Sequence, residues 1–99
     1  MTQTRTALVS TDAPARYAKQ LASHLGRKMT VEETAQGPRL TMDFDGQVAS
    51  CQLDTTANGT LRMRAASDSE AALERMAQVV GSHLERFGAK AELRVSWTA

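Results

Sequence analysis

The chain carries one cysteine, Cys51, so neither an internal disulfide nor a four-thiolate metal site can form within it. No stretch approaches the roughly 18 apolar residues of a membrane-spanning helix. Residues 1–20 lack the apolar centre of a secretory leader, so the expected location is cytoplasmic, with no membrane partner. Aromatic residues are 4% of the chain, and none alternates with the outward-facing arginines as a base-stacking platform would require. Twelve Lys and Arg face eleven Asp and Glu, a net charge of +1 that gives no global attraction to nucleic acid. There is no GxSxG elbow, no HExxH, no CxxC and no glycine-rich phosphate loop. The motif-level grounds for a serine hydrolase, a zinc protease or a nucleotide enzyme are therefore missing, and no cofactor is expected.

What is present is a globular balance, 41% hydrophobic and 23% charged over 99 residues. Area scaling for that mass buries about 64% of the extended surface, which suits one core and a single domain over residues 1–99.

Residues 5–11 (RTALVST) favour a first strand. Thr11 or Asp12 is placed to cap a helix that has Pro14 in its first turn. Tyr17, Leu21, Leu25 and Lys28 recur on helical spacing, and Gly26 or the RKMT junction ends the run. Strands are predicted over 29–34, 39–44, about 47–53 and around 61–65. The turns between them fall at Gln36-Gly37-Pro38, Asp45-Gly46 and Asn58-Gly59. Leu40, Met42 and Phe44, then Ala49, Cys51 and Leu53, then Leu61, Met63 and Ala65 form the inward sets. Ser67 or Asp68 can start the next helix, and with Ser67 as the cap Glu70 completes a capping box. The stripe Ala72, Leu73, Met76, Val79, Val80, Leu84 and Phe87 predicts a second helix stopped by Gly88. A last strand over about 91–97 would turn Leu93, Val95 and Trp97 inward. The order β-α-β-β-β-β-α-β predicts an α+β two-layer sandwich, both helices on one face of a mainly antiparallel sheet.

An internal match stands out. RYAKQLASHLGR at 16–27 aligns without gaps to RMAQVVGSHLER at 75–86, identical at six of twelve positions, including Ser-His-Leu. Two β-α-β halves related by a pseudo-twofold axis would produce this match. The only histidines, His24 and His83, occupy equivalent places near the two helix ends. Helices lying side by side would bring both rings to one point. Arg27 and Arg86 follow their histidines by three residues and can share a side with them. His24, Arg27, His83 and Arg86 are therefore the candidate pocket for a small anionic ligand. The competing reading is charge complementarity at helix ends. A metal at the histidine pair would need further ligands, from Cys51, Asp43 or Glu85, and no recognised ligand spacing is present. Adjacent Ser and His on one helix do not face each other, so a Ser–His nucleophile is not expected.

Nine of the twelve basic residues are arginine. Arg62, Arg64 and Arg94 are predicted to project from the outer sheet face as an anion-binding or interface surface. Asp43, Glu32 and Glu92 share the nearby strands, so a laced, solvated surface or a homodimer contact explains the same pattern.

The segments APARYAKQLASHLGRK (13–28) and HLERFGAKAELRVSW (83–97) resemble the bacterial family catalogued as domain of unknown function 2218, and the likeness extends over nearly the whole chain. His24, Arg27 and Lys28 match its first motif, and His83, Arg86 and Trp97 its second. The resemblance implies a small cytoplasmic bacterial protein and supplies no catalytic residue. Some relatives are joined to siderophore-interacting reductase-like domains, which hints at iron physiology. Three functions remain open at this level. One is a non-enzymatic binding or accessory domain, and another is a small metal-dependent or acid–base enzyme using the paired histidines. The third is a binder of nucleic-acid backbone through the arginine-bearing face.

Overall fold

Five segments of alternating apolar and polar residues pair into one sheet in the computed structural model, which describes residues 2–98. The elements are β1 (Gln3–Ser10), α1 (Pro14–Leu25), β2 (Thr30–Thr34), β3 (Gly37–Phe44), β4 (Gln47–Asp54), β5 (Thr60–Ser67) and α2 (Glu70–Phe87), then a 3-10 turn at Ala89–Ala91. The spatial order is β1-β5-β4-β3-β2, with every pairing antiparallel. Consecutive strands β2 to β5 are neighbours joined by short turns. β1 and β2 are opposite edges, so α1 carries the chain across the sheet. It lies over β3, α2 lies over β4 and β5, and the two helices touch.

The period of two along each strand puts every second side chain under the helices. Ala65, Cys51 and Leu40 are aligned across β5, β4 and β3, and Ala7, Met63 and Leu53 form another row. All six are at most 1% exposed. They meet Ala18, Leu21 and Leu25 of α1 and Leu73, Met76, Val80 and Leu84 of α2 in one buried cluster. The α+β two-layer expectation is the architecture observed. Asp45 and Gly46 have φ of +56° and +90°, the signature of the tight hairpin that the Asp-Gly pair predicts. Among the described residues no helix is long and apolar enough to cross a membrane.

Local details differ from expectation. The first hairpin turns at Ala35-Gln36, not at 36–38, because Gly37 already pairs with Thr34 and Pro38 with Glu33. α1 has no side-chain cap. Its N-cap is Ala13, whose N–H donates to the Thr11 hydroxyl at 3.1 Å, so that hydroxyl is consumed before the helix starts. α2 is capped by Ser69, which accepts from the Ala72 N–H, rather than by Ser67. Ser67 is the buried end of β5, and its hydroxyl is committed to the Val48 carbonyl and the Ser69 N–H.

The predicted last strand over 91–97 is the largest correction. Glu92 takes a left-handed conformation and folds the chain back along α2. Leu93 packs against Gly88 so closely that a Cβ there would stand 2.3 Å from Leu93 Cδ1. The Val95 N–H donates to the Glu85 carboxylate, a side chain rather than a neighbouring strand. Val95 and Trp97 settle over Gly81. The last β of the expected order survives as a single bridge, in which Thr98 pairs with Thr6 on the free edge of β1. The predicted alternation holds nonetheless. Leu93 is buried, Val95 and Trp97 are half-buried, and Arg94 and Ser96 are exposed.

Candidate functional site

The helix contact places the two histidines together. His24 sits in the last turn of α1, His83 one turn before the end of α2, and their ring centroids are 5.1 Å apart with planes tilted by 43°. Phe87, one helical turn beyond His83, stands edge-on to both rings, at 5.4 Å from His24 and 6.3 Å from His83. His83 Nδ1 lies 2.7 Å from the Val79 carbonyl oxygen. A carbonyl only accepts, so Nδ1 is the donor in this contact and the ring is oriented by it. His24 is exposed and His83 half-buried, so the pair stands at the surface of the helix layer.

Two grooves meet at His24. The larger, about 470 Å³, has His24, His83, Arg27, Lys28 and Arg75 on its walls. Its floor is apolar, formed by Leu25, Met29, Met42, Phe44 and Val79. The smaller, about 420 Å³, is lined by Arg16, Lys19, Gln20, Ser23 and Phe87 together with His24 and Arg27. His24 and Arg27 therefore belong to both. Arg16 and Arg75, matched in the internal alignment, lie in different grooves. Arg75 is held in place by its guanidinium carbon, 4.8 Å above the Phe44 ring.

Charge is segregated here although the chain as a whole is nearly neutral. The two grooves gather Arg16, Lys19, Arg27, Lys28 and Arg75 and have no Asp or Glu among their lining residues. Such a surface raises the local concentration of anions.

Of the four pocket residues expected from sequence, the structure brings His24, His83 and Arg27 together. Arg86, exposed in the last turn of α2, is not among the lining residues of either groove. Sequence reasoning passed over Phe87 as a site residue because it reads as part of the apolar stripe. Its spacing of four from His83 was the available signal. The apolar floor was read correctly as inward-facing, but its opening to solvent depends on where the helices end.

The side chains considered as further metal ligands are engaged elsewhere. Cys51 is buried in the core, and burial pushes its thiol up to about 12. Asp43 accepts from the Gly46 N–H at 2.6 Å, and Glu85 from the Val95 N–H at 3.0 Å. Among the described residues no group of three or more His, Cys, Asp or Glu converges on one point.

The second candidate surface divides. Arg62 and Arg64 do project from the outer face of β5, beside Gln36, Gln52 and Asp54. Hydrogen bonds from the Thr56 hydroxyl and N–H, together with the Arg62 charge, hold the Asp54 carboxyl below its ordinary range. Arg39 pairs with Glu32 on the same face. Arg94 is not on the sheet at all. It follows the chain reversal at Glu92, beside Glu85, Ala89 and Leu93, because the strand expected to carry it does not form.

The model of a family described as an uncharacterized protein conserved in bacteria (DUF2218) matches residues 6–98. The chain belongs to this family. The match takes in both histidines and all the basic residues of the two grooves. Another DUF2218-like fold is the NMR structure of PA4090 from Pseudomonas aeruginosa. It is 32% identical and superposes with a TM-score of 0.71 over 96% of this chain and 94% of the other. A search of curated proteins finds no match to this DUF2218 chain.

Proposed function

We propose that this domain is a cytoplasmic, non-enzymatic binding module for a small anionic ligand, held where α1 and α2 meet. The observation that carries the proposal is the concentration of five cationic side chains and two imidazoles around grooves without a lining carboxylate. Arg27 borders both grooves and presents a planar donor fork suited to carboxylate or phosphate. The outer sheet face is a weaker candidate, since Glu32 and Asp54 interrupt its arginines.

The test is a titration of the full chain with inorganic phosphate and with acetate, at pH 7 and constant ionic strength, followed through the histidine ring resonances. The expected result is saturable movement of both rings, weakened about tenfold by Arg27→Ala, the cost of one charge-assisted hydrogen bond. Shifts that never saturate and are unchanged in Arg27→Ala would defeat the proposal.

A further inference from the structure

The larger groove is more than a cationic patch. β3 runs outward from beneath the helices: its inward residue Leu40 is fully buried, whereas the next two, Met42 and Phe44, are only half-buried. α1 ends at Leu25 and the chain turns away, so no helix backbone of α1 covers the outer end of that row. Val79 of α2 completes a strip of exposed carbon along the groove floor. Arg75 lies over Phe44, which joins the cationic rim to the apolar floor at one residue pair. The volume, about 470 Å³, falls within the range of small-molecule pockets, roughly 300–1,000 Å³. An inorganic anion would satisfy the rim and leave the floor wet. The smaller groove has no comparable floor, since Arg16, Lys19, Gln20 and Ser23 dominate it.

Building on the anion reading above, we infer that the larger groove takes an amphipathic organic acid, its anionic head at Arg27, Lys28 and Arg75 and its apolar body on Met42, Phe44 and Val79. The absence of a lining carboxylate selects against a cationic amphiphile of the same shape.

The experiment is calorimetry of the full chain with acetate, butyrate, hexanoate and octanoate below their micellar concentrations, with octylamine as the charge-reversed control. Affinity is expected to rise about two- to fourfold per added methylene, as apolar area leaves water. Octylamine is expected not to bind. Met42→Gln should weaken octanoate about fivefold and leave acetate unchanged, and Val79→Thr, which puts a hydroxyl in place of a methyl at similar size, gives the same contrast if the first variant folds poorly. Saturable binding that is independent of chain length would overturn this inference and leave the anion reading standing. Octylamine binding as tightly as octanoate would overturn the anionic head. No saturable binding by any acid would overturn this inference, and the phosphate titration then decides the anion reading. Self-association of the protein that shields Met42 and Phe44 would show that a second copy is the occupant, and would also overturn the inference.

Discussion

His24 and His83 come from different helices, yet their rings lie 5.1 Å apart and share Phe87 as a common edge-on neighbour. The trio is the seam where the two helices meet at the surface. Phe87→Leu keeps an apolar side chain on α2 while removing the aromatic ring. The ring protons of both histidines are expected to shift in a proton–carbon spectrum, with a stability loss of about 1 kcal/mol. Movement of one histidine alone would show that the three rings do not form a unit.

Cys51 supplies a prediction about pH. Its thiol titrates at about 12 in the folded chain, against 9.0 for the free group, because burial disfavours the thiolate. Between those values the unfolded chain has released the proton and the folded chain still holds it. The stability this provides is complete below pH 9.0 and is lost as the pH rises toward 12. Cys51→Ala should flatten that alkaline fall in denaturation curves while costing about 1–2 kcal/mol at neutral pH for the lost packing. An aromatic disulfide reagent should leave the native thiol untouched and label it only in denaturant. Rapid labelling of the native protein would contradict the burial.

Gly88 and Leu93 hold the C-terminal segment against α2. A methyl at position 88 would meet Leu93 Cδ1 at 2.3 Å and Cγ at 2.4 Å, so Leu93 would have to leave its site. Gly88→Ala is expected to cost about 1–3 kcal/mol. The same variant should red-shift the emission of Trp97, the single tryptophan, as the segment from Leu93 to Thr98 loosens. Unchanged emission would mean that the segment is held from Val95 onward, without help from Leu93.

Much of this organisation is legible in the residues alone. Leu40, Met42 and Phe44, and Leu61, Met63 and Ala65, declare their inward face because a strand repeats every two residues. The spacing of Leu73, Met76, Val80 and Leu84 likewise declares one side of a helix. Asp45-Gly46 declares its turn because both residues tolerate positive φ. The segment from Glu92 to Trp97 misleads for an instructive reason. Alternating burial is the mark of any extended chain laid on an apolar surface, whether or not a strand lies alongside to accept its hydrogen bonds. Here the surface is α2, and the Val95 N–H finds Glu85 instead of a ladder.

The candidate site divides along the same line. Local patterning made both helices and both histidines visible, and the repeated Ser-His-Leu marked them as related places. It could not separate Arg27 from Arg86, since each follows its histidine by three residues. That separation comes from the chain path. α1 ends at Leu25 and sets Arg27 in the turn beside the grooves, whereas α2 continues to Phe87 and keeps Arg86 on its exposed side. Short-range periodicity determined both helices, the five strands of the sheet and which residues face inward, but not that the segment from Glu92 to Trp97 lacks a strand partner. Only the tertiary structure decided which of them touch, because contact between α1 and α2 depends on how both helices seat on one sheet, a relation that no local window contains.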